Sequence, residues 1–212
     1  MCERVKQPCF GPMSVSVLMD SNGSNTTAAA AVVAAKRHLD LGGCSALVLG
    51  ATGPVGHRVA QLLASAGAEV RLGSRSLERA EQLEREIAGH NSDARLTAHA
   101  TGSAGELATA CEGVELIVAA GAPGVELLGA EAREQLPALR VAIDLNAVPP
   151  LGLGGVEVTD KAVERSGVIC YGAIGVGGTK MKVHKAAVQR LFEANNLVLE
   201  TEAVFAIAEG LE

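Results

Sequence analysis

Three glycines spaced three apart, Gly50-Ala-Thr-Gly53-Pro-Val-Gly56, follow the apolar run Ala46 to Leu49 and precede a helical pattern. Residues of this type at a strand-to-helix junction can bind a pyrophosphate. A side chain at the close-approach glycine would hold the anion away from the backbone. The helix start offers unpaired amides and the positive end of its dipole. The last glycine lets the helix close on the strand. The spacing is GxxGxxG rather than GxGxxG, and the same glycines would also serve an ordinary tight turn. The strand–loop–helix setting is what reads as a dinucleotide site, with Gly50, Thr52, Gly53, Pro54, Val55 and Gly56 as the candidate residues.

The next apolar run ends in Gly73-Ser74-Arg75-Ser76. A site for NAD carries Asp or Glu here, bonded to the ribose 2′-hydroxyl. A carboxylate would repel a 2′-phosphate, whereas Arg75 would pair with it and Ser74 and Ser76 would donate hydrogen bonds. This pattern predicts NADP; the alternative is a solvated arginine at a helix start. Arg71, Arg75 and Arg79 together could form a small anion site. A later run, Val118 to Gly124, places Ala120, Gly121 and Ala122 at another strand end, where small residues let backbone lie against the nicotinamide ribose.

The elements that must position these residues alternate along the chain. A strand-like "MSVSVLM" lead-in is followed by the polar turn "DSNGSNTT". Ser24 or Asn25 is the expected N-cap of an Ala-rich helix over 26–38. "SALVLG" reads as a buried strand and 54–66 as a helix with Pro54 at its first position. "EVRLG" is the second strand of this unit. "SLERAEQLEREIAG" is an amphipathic helix presenting Leu77, Ala80, Leu83 and Ile87. "RLTAHA" is a third strand, and Ser103 with Glu106 forms a capping-box pattern. "VELIVAAG" and "LRVAIDLN" are further strands, with the helix "LLGAEAREQL" between them. A short helix from about Thr159, a strand "GVICYGA", a glycine loop "IGVGG", a helix over 179–195 and a closing helix complete the chain. Alternation of this kind implies an α/β fold: a Rossmann-like, doubly wound parallel sheet with helices on both faces.

Composition narrows the classes. The 212 residues are 48% hydrophobic and 20% charged with a net charge of −6, so a sizeable core forms and no basic stripe invites nucleic acid. The apolar run Ala28 to Ala35 is too short to span a bilayer, and the first residues lack a signal pattern. The five cysteines (Cys2, Cys9, Cys44, Cys111, Cys170) are scattered, odd in number and without metal spacing, which points to a reduced, cytoplasmic setting and no metal.

Three less generic segments are Asp20 to Val32, "DSNGSNTTAAAAV"; Asp144 to Gly155, "DLNAVPPLGLGG"; and Tyr171 to Lys185, "YGAIGVGGTKMKVHK". With the dinucleotide motif, their order and content resemble the NADP-dependent methylene-tetrahydromethanopterin (and methylene-tetrahydrofolate) dehydrogenases of methylotrophic bacteria. The resemblance runs from about Phe10 to the C-terminus. Members of that family carry a further domain's worth of sequence before "SNGSNTT", where this chain has only Met1 to Asp20. The expected organisation is therefore 1–24 as a lead-in to, or remnant of, the substrate domain and 25–212 as the NADP-binding domain. The expectation is a shortened member or a chain whose start is lost, with apolar surface exposed and a homo-oligomer favoured.

The resemblance implies hydride transfer from the methylene bridge of a reduced pterin to NADP+. It matches Lys180 to an active-site lysine, which would position the pterin through its carbonyl or tune a neighbour; an ordinary surface lysine is the alternative. It implies that Asn146, Gly172 and Ile174 lie along the cofactor. Asp144, at a strand end, could offset a cationic product or simply cap the strand. Asp20, Asn22 and Thr27 could reach the substrate or cap the helix. His184 falls one helical turn after Lys180, His57 is expected at the surface, and His38 has no evident partner. Two other readings keep the fold: a related pterin reductase, and a non-catalytic or repurposed NADP(H)-binding module without a pterin domain.

Overall fold

A computed structural model describes residues 14–212. Cys2, Cys9 and most of the lead-in segment lie outside the described residues. The strand expected over "MSVSVLM" is short within them: β1 covers only Val17–Leu18.

The core is a seven-stranded sheet. Its strands are β2 (Ser45–Leu49), β3 (Glu69–Ser74), β4 (Arg95–Ala100), β5 (Leu116–Ala119), β6 (Val141–Asp144), β7 (Lys161–Arg165) and β8 (Val168–Tyr171), in the order β4-β3-β2-β5-β6-β8-β7. Six run parallel, as the alternation predicts; the edge strand β7 is antiparallel to β8. This corrects the expected short helix from Thr159. Left-handed Ala162 and Ser166 break any helical run there. The turn at Ser166 and Gly167 returns the chain as a hairpin. A separate two-stranded parallel pair joins β1 to β9 (Val198–Leu199).

Successive residues of a strand face opposite sides, and the sheet divides its core accordingly. Ala46 and Val48 of β2 pack with α1 (Ser24–Lys36), α2 (Pro54–Ser65), α3 (Leu77–His90), α6 (Ala173–Arg190) and α7 (Thr201–Glu209). Leu47 and Leu49 pack on the other face with α4 (Ala104–Cys111) and the segment around the short α5 (Ala130–Glu134). α1 is buried on almost every side, Ala28 to Ala31 being fully enclosed, because α2, α6 and α7 all lie against it. Alanine is what allows several helices to approach one axis closely.

Other boundaries differ from the sequence pattern for identifiable reasons. The expected "IGVGG" loop is the first two turns of α6, which begins at Ala173 rather than 179. A Cβ on Gly172 would collide with the Glu157 carbonyl and one on Gly175 with the Asp160 carbonyl. These glycines therefore serve close packing of the helix start, not flexibility. The helix read from "LLGAEAREQL" shrinks to the five residues of α5. On α3, Ala80, Leu83 and Ile87 are buried as predicted, while Leu77 in the first turn is exposed. The Ser103–Glu106 capping box opens α4 as read.

Candidate active site

At the C-terminal ends of β2, β3 and β5, the loops enclose a cavity of about 860 Å³. Its walls include Gly50, Thr52, Gly53, Pro54, Ser74, Arg75, Ser76, Ala120, Gly121 and Ala122, residues from three separate candidate segments. The parallel register brings them together: Leu49 of β2 lies opposite Gly73 of β3 and Ala119 of β5.

The glycines divide their work. Gly50 is left-handed, at φ +73°, and its ideal Cβ would stand 2.7 Å from Gly121 Cα, so the β2 and β5 loops can meet only if this residue is glycine. A Cβ on Gly56 would overlap the Gly50 carbonyl, so this glycine brings α2 against its own loop. Gly53 differs. Its backbone is extended, and a Cβ there would stand 3.3 Å from the Gly50 oxygen. Gly53 is the N-cap of α2 and supplies no side-chain cap, and Pro54 has no amide hydrogen. Val55 and Gly56, also expected at the site, lie in the first turn of α2 just behind the lining residues Gly53 and Pro54, where helix amides lack intrahelical partners and the positive end of the dipole lies. A cradle of this shape and polarity fits a pyrophosphate.

The β3 loop is arranged for a second anion. Ser74 Oγ accepts the Ser76 amide at 3.2 Å, and Ser76 Oγ accepts the Arg79 amide at 3.3 Å. Each hydroxyl is used as an acceptor, which leaves its proton free to donate. Thr101 donates its amide to the Ser74 carbonyl at 2.8 Å and, with Gly102, closes the far wall. The guanidinium groups of Arg75 and Arg79 line the cavity and make no ion pair among the described residues. Arg71, grouped with them on sequence grounds, points elsewhere and donates to the Ala110 carbonyl at 2.9 Å. Sequence reasoning missed Thr101 and Gly102, which follow β4, and Val125, Glu126 and Leu127, which lie just beyond the run read after β5. His57 is half-buried in a small adjoining recess with Thr52 and Arg79. Burial, with help from Arg58, keeps its imidazole below the usual histidine range.

Asp144, Asn146, Gly172 and Ile174 lie at the ends of β6 and β8, outside the cavity lining. Asp144 is 1% exposed and accepts the amides of Asn146 at 3.0 Å and Leu153 at 2.9 Å. Burial raises its pKa, and these amides with that of Gly152 partly offset the rise. The Asn146 side chain donates to the Pro150 carbonyl and accepts the Val148 amide. Both side chains thus fold the 145–153 loop. The amides of Gly172 and Ile174 are donated to the Asp160 and Val158 carbonyls.

A second group of candidates gathers where α6 meets the start of α1. The N-cap expected at Ser24 or Asn25 is Gly23, preceded by a 3-10 turn over Ser21–Gly23. Asp20 caps the helix from across that turn. Its Oδ1 accepts the amides of Asn25 at 2.9 Å and Thr26 at 3.0 Å, and Oδ2 accepts the Thr26 hydroxyl at 2.8 Å. His184 Nδ1 stands 3.6 Å from Asp20 Oδ2, and the Lys180 side chain rests over Gly23. Asn22 is exposed and Thr27 half-buried beside them. His38, without a partner on sequence grounds, bonds the Tyr171 hydroxyl through Nε2 at 2.8 Å. Among the described residues no cluster of His, Cys, Asp and Glu could hold a metal ion, and no helix is long and apolar enough to cross a membrane.

No family model matches the chain. The bifunctional protein MdtA of Methylorubrum extorquens is 41% identical over 211 residues, 99% of this chain and 73% of that protein. The NAD(P)-dependent methylenetetrahydromethanopterin dehydrogenase of the same organism is 30% identical over 217 residues, 92% of this chain and 68% of that protein. Among solved structures, a transhydrogenase from Sinorhizobium meliloti superposes with a TM-score of 0.61 at 18% identity, over 89% of this chain and 53% of that one, a likeness of fold. With relatives matched over more than two thirds of their length, the chain belongs to the family of MdtA and the methylenetetrahydromethanopterin dehydrogenase.

Proposed function

We propose that the chain is an NADP-dependent dehydrogenase that removes a hydride from methylene-tetrahydromethanopterin, or a related reduced pterin of the tetrahydrofolate type, and releases the methenyl pterin. Family membership supports a pyridine-nucleotide oxidoreductase. The observation that carries the NADP reading is the β3 loop, where Arg75 and Arg79, which make no ion pair among the described residues, and two serine hydroxyls that accept backbone amides stand at the position of the usual ribose-binding carboxylate.

Bound NADP+ would supply the ring carbon that accepts the hydride. The chain's own contribution is placement. The first turn of α2 would hold the pyrophosphate, Arg75, Arg79, Ser74 and Ser76 the 2′-phosphate, and Ala120 to Ala122 the nicotinamide ribose. The hydride leaves the methylene carbon with both bonding electrons, so the pterin becomes a cation delocalised over two nitrogens. No proton acceptor is required, and rate depends on orientation and local electrostatics. Lys180 would orient the pterin through a carbonyl, with Asp20, Asn22 and Thr27 alongside.

The free thiols Cys44, Cys111 and Cys170 support a reduced, cytoplasmic setting. Exposed Ile174, Met181 and Phe192 along and just beyond α6 support self-association.

Titration with NADPH and NADH, followed by NADP+ plus the methylene pterin while the reduced-nicotinamide absorbance is recorded, tests the reading. Tighter NADPH binding with turnover is expected. Binding without turnover would make the chain an NADP(H)-binding module instead.

A further inference from the structure

We propose that Gly23 is a positioning residue: the space left by its missing side chain is the seat that fixes the ammonium end of Lys180. The inference rests on the reading of Lys180 as the lysine that orients the substrate.

Gly23 is left-handed, at φ +70°, immediately before α1. The left-handed backbone already favours glycine here, although it does not by itself exclude every side chain. The preceding residue, Asn22, adopts the same region at φ +56° with its side chain exposed, and asparagine pays little for it. Lys180 adds a second constraint. A Cβ on Gly23 would lie 2.6 Å from Lys180 Nζ and 3.0 Å from Cε, so any side chain would occupy the place where the ammonium sits.

The turn beneath the lysine is rigidly held. Asp20 is nearly buried and bonds two amides and the Thr26 hydroxyl. Thr26 Oγ1 lies 3.8 Å from the Gly23 Cβ position, which sets this bonded pair at the edge of the seat. His184, one turn beyond Lys180 on α6, meets Asp20 Oδ2 at 3.6 Å. α6 thus approaches the turn at His184 while Lys180 extends across it. A lysine side chain has four rotatable bonds, and a seat that selects one arrangement removes the entropy cost of doing so during the reaction.

Because the colliding atoms are the far end of a flexible side chain, Gly23→Ala should displace the ammonium rather than unfold the helix. The test is a double-mutant cycle of Gly23→Ala, Lys180→Ala and both together. It is read by kcat and KM for the reduced pterin, by NADPH affinity, and by the rate at which an amine-acylating reagent modifies Lys180, followed by peptide mass spectrometry. Gly23→Asn, which tolerates the left-handed backbone yet carries a Cβ, controls for strain. The expected results are a kcat about tenfold to a hundredfold lower in either Gly23 variant, unchanged NADPH affinity and faster acylation of Lys180. The double variant should be no slower than Lys180→Ala. Acylation at the wild-type rate, or losses that multiply in the double variant, would overturn the seat. Wild-type turnover in Lys180→Ala would instead overturn the role of the lysine, and the acylation rates would still decide whether Gly23 seats it.

Discussion

Asp20 accepts both the amide and the hydroxyl of Thr26, six residues along the chain, and so caps α1 across an intervening 3-10 turn. Removing a helix cap costs about 1–2 kcal/mol. Asp20→Ala should lose stability of that size in denaturant unfolding, and Asp20→Asn should recover part of it by keeping one acceptor oxygen. An unchanged midpoint for Asp20→Ala would show that the cap contributes nothing.

Arg75 makes no ion pair among the described residues and lines the cavity at the end of β3. Arg75→Ala should weaken NADPH on the order of tenfold to a hundredfold, the range of a lost charge-assisted bond, while leaving NADH nearly unaffected. Calorimetric titration with both nucleotides decides it, since equal losses would detach Arg75 from the 2′-phosphate.

Two glycines of one motif should fail differently. Gly53→Val would set a side chain against the Gly50 and Ala120 carbonyls at the cavity wall, from an extended backbone that any residue adopts, so both nucleotides should lose binding at a smaller cost in stability than Gly56→Ala. Gly56→Ala drives a methyl into the Gly50 carbonyl and should cost about 1–3 kcal/mol of stability through overpacking. Thermal melts beside binding curves separate the two. A Gly53→Val variant that still binds NADPH normally would reduce the loop to a plain turn.

Asp160 anchors the hairpin to the start of α6. Burial by itself would raise its pKa, but the Arg165 guanidinium, bonded at 2.6 and 2.7 Å, and the Glu157 amide together hold it below the ordinary carboxylate range. The folded-state pKa is thus below the unfolded value of about 4. The unfolded chain takes up the proton first as pH falls, so this stabilisation is complete above that value and disappears as pH drops through the folded pKa. Melting curves of the wild type and Asp160→Asn should differ most near neutrality and converge in acid. A gap independent of pH would mean that charge plays no part.

Cys44 and Cys111 are buried, and burial pushes both thiols up to about 11. Neither should react with a thiol reagent at neutral pH until the protein unfolds. Mass mapping after brief labelling tests this, and rapid native modification of either would contradict the packing.

The glycine turn between β2 and α2 was legible because every signal for it is local. One strand, one glycine turn and one helix lie within Ser45–Ser65, and Gly73 to Ser76 ends the next strand. The capping box at Ser103 is local in the same way. What escaped depends on distant partners. The glycines at 172 and 175 read as a loop until the carbonyls of Glu157 and Asp160 are seen beside them. The β7 segment, "KAVER", has no alternating pattern because it is an exposed edge. Asp20 reads as part of a polar turn, and only left-handed Asn22 and Gly23 fold it back onto Thr26. The cavity wall at Thr101 and Gly102 follows from sheet order, which no single segment encodes.

The β1–β9 pair has a consequence in time. The Leu197 amide reaches the Ser16 hydroxyl across 181 residues of chain, and among the described residues Val17 and Leu18 pair as a strand only with Val198 and Leu199. A ribosome delivers β2, β3 and β5 before β9, so the cavity at their ends can assemble while synthesis continues. The Asp20 turn follows β1 directly and gains its pairing only after every strand of the main sheet has been made. During its own birth this chain would complete the loop between β2 and α2 well before the β1–β9 pair that flanks the Asp20 turn.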